Sequence, residues 1–65
     1  MRIRLNGAEK QLAASRLDEA LDALGYKDAV IATAVNGRFV PAARRADTQL
    51  YDGDSLEVLA PMQGG

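Results

Sequence analysis

The sequence predicts an α+β fold: a mixed sheet of four to five strands, one helix packed on one of its faces, and a protruding tail. Three observations predict it. Asn6-Gly7 and Asn36-Gly37 each join two short strand-like segments. Asn-Gly is the strongest short hairpin signal, because a type I′ turn needs φ > 0 at both central positions. Between the hairpins, Leu17, Ala20, Leu21 and Leu24 recur at i, i+3, i+4 and i+7, the apolar stripe of an amphipathic helix. After them a run from 55 to 60 alternates apolar and polar residues, as a half-buried strand does. One helix cannot cover both faces of a sheet, so it should lie across one face and give two layers.

Taken in order, Arg2-Ile3-Arg4-Leu5 is a strand with Ile3 and Leu5 inward. After the first turn, Ala8 to Leu12 returns. Its Glu9 and Lys10 suit an edge strand, where charge discourages further pairing, and Leu12 is its core contact. Ser15 is the expected N-cap, with Asp18 and Glu19 in the first turn, where carboxylates complement the helix dipole. Gly25 suits the left-handed position just past the helix end, with Tyr26 placed for the apolar contact that follows it. This gives a helix of about ten residues. Its charges at Asp18, Glu19 and Asp22 read as a solvated face.

Lys27-Asp28-Ala29 is a loop, and Val30 to Val35 is an apolar run broken only by Thr33, suited to a central strand. After the second turn, Arg38-Phe39-Val40 returns and Pro41 ends it. Phe39, the one Phe, is expected in or near the core. Ala42 to Gln49 should be a short helical turn or irregular loop. Its Arg44-Arg45 pair reads as solvated charge, with partner steering as the sharper option. Leu50 is a buried anchor. Asp52-Gly53-Asp54 is a tight turn, not a calcium site, since two carboxylates without further ligands hold calcium poorly. In the last strand Leu56, Val58 and Ala60 share one face, and Glu57 and Leu59 the other.

Composition narrows the function. Sixty-five residues make one domain, which buries only about 60% of its unfolded surface and has a thin core. Formal charge is 8 − 9 = −1, with both signs spread along the chain. No basic footprint for nucleic acid and no basic amphipathic helix for a membrane results. The longest apolar run is far short of a membrane span, and no signal-peptide pattern follows Met1, so a cytoplasmic protein is expected. The sequence has no Cys and no His. A disulfide framework, a thiolate nucleophile and zinc or iron–sulfur ligation go with the first. The commonest general base goes with the second. The expectation is a protein without catalytic residues or a metal of its own, one that enters chemistry as substrate or carrier.

The organising stretch is then Ala60-Pro61-Met62-Gln63-Gly64-Gly65. Glycines without Cβ make Gly64-Gly65 as narrow as a peptide can be, able to thread a slot closed to other residues. Pro61 stops strand pairing. From Pro61 to Gly65 the chain can extend about 17 Å. Residues 1–60 are thus expected to be the domain and 61–65 a flexible tail; if the protein carries an acyl-type or sulfur cargo, the terminal carboxylate is the obvious attachment point. A frayed end or an expression remnant carries glycines too. A sheet covered by one helix leaves its other face only partly polar, with Leu59 and one side of the 30–35 run exposed near the tail, an apolar patch fit for docking.

The element order, strand-strand-helix-strand-strand-turn-strand, with the last strand central beside the first, is that of the β-grasp or ubiquitin-like fold. Four stretches carry a closer resemblance: Ile3-Arg4-Leu5-Asn6-Gly7, then Ala34-Val35-Asn36-Gly37-Arg38-Phe39-Val40-Pro41, then Leu50-Tyr51-Asp52-Gly53-Asp54, and the terminal Gly64-Gly65. Together they resemble the ThiS family, sulfur carriers of thiamine thiazole synthesis, over essentially the whole chain. The tail and fold alone are shared with the molybdopterin-synthase small subunit and with ubiquitin-like modifiers; the central stretch and short length favour ThiS. The chain departs from the family at Arg44-Arg45, where a bulky aromatic is frequent.

The resemblance implies that a ThiF-like adenylating enzyme uses ATP to activate Gly65 as an acyl-adenylate. Sulfur from a persulfide donor then makes a C-terminal thiocarboxylate, a 1-thioglycine, which is delivered to a ThiG-like thiazole synthase. Gly65 is the modified residue and Gly64 the slim spacer admitted to the partner's active site. The free protein is expected to be a monomer. The other readings are the same chemistry in molybdopterin or cysteine synthesis, and a ubiquitin-like modifier or binding module whose tail carries no sulfur.

Overall fold

The computed structural model describes residues 1–60. Its elements are β1 (Arg2–Leu5), β2 (Ala8–Gln11), α1 (Leu17–Ala23), β3 (Ala32–Val35), β4 (Arg38–Val40), a 3₁₀ helix at Ala42–Asp47, and β5 (Ser55–Leu59). Both Asn-Gly pairs make the expected turns: φ is +49° and +87° at Asn6 and Gly7, and +52° and +83° at Asn36 and Gly37. Each turn closes an antiparallel hairpin, β1 with β2 and β3 with β4. β5 joins the two hairpins into one five-stranded sheet of order β2-β1-β5-β3-β4. It runs parallel to β1 and antiparallel to β3. β2, charged and exposed along its length, is an edge, as its composition predicts.

The core lies between the sheet and α1. Leu17, Ala20 and Leu21 of the helix stripe meet Ile3 of β1 and Leu56 and Val58 of β5, with Leu50 closing the end. Leu5, Leu12, Leu24 and Tyr26 pack around this cluster. Thr33, the polar interruption of the apolar run, is among the most buried residues. Its hydroxyl donates to the Val40 carbonyl at 2.9 Å, so burying it leaves no lone polar group.

The helix is shorter than its sequence suggests, seven residues rather than ten. The expected N-cap, Ser15, lies one residue too early: its carbonyl accepts from the Leu50 N–H at 2.9 Å and from the Gln49 side chain at 2.8 Å. That bridging holds the chain extended through Arg16, which becomes the cap. Glu19 reaches back to accept from the backbone N–H of Arg16 (3.1 Å) and of Ser15 (3.3 Å), and from the Ser15 hydroxyl (3.2 Å). The Leu17 N–H, free at a helix start, donates to the Thr48 carbonyl at 2.9 Å. At the other end Gly25 has φ +90°, the Tyr26 N–H donates to the Leu21 carbonyl (2.8 Å), and that of Gly25 to Asp22 (3.1 Å). This is the Schellman motif, and Tyr26 folds back on the core as expected.

Two boundaries also move. β3 starts at Ala32, not Val30, because Ala32 already pairs with Leu59, the last residue of β5. Val30 has no strand opposite it among the described residues and is 77% exposed. Ala60, expected on the inner face with Val58, follows the end of β5 and is exposed.

Two predictions follow from this packing. Leu56 is fully buried on the central strand, and Leu56→Ala should lose about 2–5 kcal/mol. A domain of this length has on the order of 3–10 kcal/mol to lose, so urea melts should show the variant largely unfolded or close to it. The second concerns acid. The Glu19 carboxyl sits below its ordinary range, chiefly through the Arg16 backbone N–H and then through Ser15. The Asp18 carboxyl is lowered first by its hydrogen bond from Arg16. A carboxyl lowered in the folded state adds stability above its unfolded pKa and loses it as pH falls through the folded one. The urea midpoint of the wild type should therefore drop between about pH 5 and pH 3, and Glu19→Gln should flatten that drop.

Candidate functional site

Side-chain alternation along β5 sends Leu56 and Val58 into the core and Glu57 and Leu59 to the opposite face. Register decides what stands beside them. Leu59 is opposite Ala32, Glu57 opposite Ala34, and Ala34 opposite Phe39. On the other side of β5 the same face carries Arg2, Arg4, Glu9 and Gln11 from β1 and β2, all exposed. The outer face is thus split into a charged half on β1 and β2 and an apolar half on β3, β4 and the end of β5.

The apolar half is the candidate site. Phe39 is 69% exposed and Leu59 66%. They flank a shallow hollow of about 90 Å³, floored by Ala32 and Ala34 and edged by Glu57. A second hollow of about 340 Å³ continues from Leu59 to Val30, Ile31 and Ala60. Small side chains at 32 and 34 leave the depression, and large ones at 39, 59 and 30 rim it. The expectation of an exposed Leu59 beside one side of the 30–35 run is met. Ala60, where the described chain stops, lies on this rim. Residues 61–65, with the expected functional pair Gly64 and Gly65, lie outside the described residues.

Phe39 corrects an expectation, since it was assigned to the core. The reason is parity. A two-residue turn at Asn36-Gly37 pairs Val35 with Arg38, Ala34 with Phe39, and Thr33 with Val40. Val40 therefore shares the inner face with Thr33, and Phe39 must point outward. Counting residues through the turn would have shown this; aromatic character alone pointed the wrong way.

The basic pair divides. Arg44 is exposed, as expected of a solvated charge. Arg45 is half-buried: its Nη2 donates to the Ile31 carbonyl at 2.8 Å and its Nε to the Thr33 hydroxyl at 3.4 Å. It ties the 3₁₀ helix to the start of β3. The turn acids behave as expected. Asp54 accepts from the Tyr51 N–H (2.8 Å) and the Asn36 side chain (3.0 Å), and Asp52 from the Arg2 N–H (2.7 Å). Among the described residues no group of three or more His, Cys, Asp or Glu is placed to hold a metal ion. No helix among them is long and apolar enough to cross a membrane.

Comparison with known proteins agrees along the whole chain. The model of the ThiS family matches residues 3–65. A sulfur carrier protein ThiS of Thermus thermophilus is 36% identical over 61 residues, 94% of this chain and 95% of that protein. Among solved structures, the thiamine biosynthesis protein ThiS of Geobacter metallireducens superposes with a TM-score of 0.83 at 26% identity, covering 100% of both chains.

Because Phe39 and Leu59 face solvent, replacing both with Ser should leave the urea midpoint equivalent to within about 0.5 kcal/mol of the wild type. A loss on the scale of a core truncation would return Phe39 to the core.

Proposed function

The chain belongs to the ThiS family, and from that premise we propose that it is a sulfur carrier of thiamine biosynthesis whose cargo is borne on the carboxylate of Gly65. Residues 1–60 act as the handle and 61–65 as the tail that enters a partner's active site. The observation that carries this reading is the position of the apolar patch. Phe39, Leu59 and Val30 gather at the end of β5 from which the chain continues toward Gly64-Gly65. A partner that covers the patch receives the tail in a fixed place.

The chemistry is assigned to partners. A carboxylate is a poor acyl donor because its leaving group is oxide. A ThiF-like enzyme binds ATP; the Gly65 carboxylate attacks the α-phosphorus, pyrophosphate leaves, and an acyl-adenylate forms. A persulfide sulfur attacks the acyl carbon and displaces AMP, giving an acyl disulfide. A thiol then cleaves the S–S bond, is itself oxidised to a disulfide, and releases the thiocarboxylate. That sulfur, a 1-thioglycine at Gly65, goes to a ThiG-like thiazole synthase. The thiols in this sequence of steps belong to other proteins, since this sequence has no Cys. Gly64 is the spacer: without Cβ it passes a channel too narrow for a side chain.

The test is mass spectrometry of the chain after incubation with ATP, an adenylating enzyme of this type and a persulfide source. Exchange of one oxygen for sulfur should appear on the C-terminal fragment and be trapped by an alkylating reagent. Trapping separates it from oxidation of Met62, which adds nearly the same mass to the same fragment. An unmodified tail, with an enzyme shown active on another carrier, would overturn the reading. Gly64→Val should fold normally and abolish activation; an unimpaired rate would remove the threading role of Gly64.

A further inference from the structure

We propose that Asn6 is a positioning residue: its side-chain amide stands in for a missing strand and fixes the end of β5, and with it the root of the tail. The β1–β5 ladder has its last strand pair at Leu5 and Leu56. Its final backbone bond runs from the Asn6 N–H to the Leu56 carbonyl at 2.9 Å. There β1 turns away through Asn6 and Gly7 into β2, and the next groups of β5 on that side, the N–H and C=O of Val58, lose their backbone partner. Asn6 supplies both. Its Oδ1 accepts from the Val58 N–H at 2.9 Å, and its Nδ2 donates to the Val58 carbonyl at 3.2 Å. A side-chain amide has the donor and acceptor of a peptide group on one rigid plane, so it continues the ladder for one further residue.

The position needs Asn in particular. φ at Asn6 is +49°, a conformation that Asn accepts and branched residues do not. Asp would tolerate the turn but offers no donor, and would set a carboxylate against the Val58 carbonyl. Gly would make the turn well and leave Val58 without a side-chain partner.

The second hairpin supplies an internal control. Asn36 holds the other end of β5 from the other side. Its N–H donates to the Ser55 carbonyl at 2.8 Å, its Oδ1 accepts from the Ser55 N–H at 2.9 Å, and its Nδ2 donates to Asp54 Oδ1 at 3.0 Å. Both residues occupy the first turn position, and each side chain makes two hydrogen bonds at one end of β5. They differ in where those bonds fall. Asn36 secures the start of the strand; Asn6 secures Val58, next to Leu59 of the patch and Ala60, from which the tail continues. Without the Asn6 amide, the end of β5 is held only through the pairing of Leu59 with Ala32 on the β3 side, and Ala60 follows it with no strand partner among the described residues, so this end frays.

The activity arm of the test rests on the sulfur-carrier reading; the structural arm does not. Asn6→Gly and Asn36→Gly each keep the turn and remove one clamp. The two should lower the urea midpoint by similar amounts. Asn6→Gly alone should raise the KM of the adenylating enzyme for the carrier about tenfold, with kcat changed less than about twofold, because the partner must then order the tail root itself. In the same variant alone, ¹⁵N order parameters of Leu59 and Ala60 should fall from rigid toward flexible values. Equal KM and equal order parameters in the two variants would overturn the proposal and leave Asn6 a stabilising residue only. If the wild type is not activated at all, the sulfur-carrier reading fails and the order parameters decide the role of Asn6. Should Asn6→Gly not fold, Asn6→Asp, which keeps the acceptor and the turn but not the donor, is read on KM and the order parameters alone, since its carboxylate opposes the Val58 carbonyl and lowers the urea midpoint by itself.

Discussion

The pairing of β1 with β5 joins two hairpins that would not stand alone. An isolated two-stranded hairpin is marginal in water. Here one hairpin has a fully exposed, charged return strand, and the other a return strand of three residues. Inserting β5 between them satisfies the backbone of β1 and β3 on their open sides and brings Leu56 and Val58 beneath α1. It also determines the surface. Once β5 has its inner residues in the core, Leu59 and Glu57 must face outward, and the register with β3 puts Ala32 and Ala34 beside them.

The two faces of the sheet differ in character. The helix face of the sheet is closed, polar groups there are paired, and no buried side-chain polar atom lacks a partner among the described residues. The opposite face is divided between charge and apolar surface. A surface of that kind can orient a partner by its charged half and hold it by its apolar half. In the sulfur-carrier proposal the reacting atoms need not be near either; they need only a root whose direction is set, the part proposed for the end of β5.

Much of this was legible in sequence because it is local. Type I′ turns are set by the two residues in them, and both appear where Asn-Gly stands. The Gly25–Tyr26 ending, the Asp52-Gly53-Asp54 turn and the apolar stripe of α1 are likewise decided within a few residues. What was misread depends on partners far away in sequence. Ser15 fails as the N-cap because its carbonyl is taken by residues 49 and 50. Val30 is outside β3 because β5 pairs no farther than Leu59. Arg45 looked solvated because nothing nearby announces the carbonyl of Ile31. Phe39 is the instructive case, since its outward direction was available from turn parity, and its aromatic character outweighed the count.

The β1–β5 pairing also bears on how the patch comes into being. Arg4 and Ser55 are partners 51 positions apart (55 − 4). Closing such a long loop carries an entropy penalty that local turns do not, and non-local pairs of this kind belong to slow folding. The two hairpins can form first, each on its own, but neither contains both Phe39 and Leu59. Those two residues become neighbours only when β5 has entered the sheet. Under the proposed function, a partner that reads the patch would read the finished fold, because a chain whose β5 has not entered the sheet lacks the surface that Phe39 and Leu59 form together.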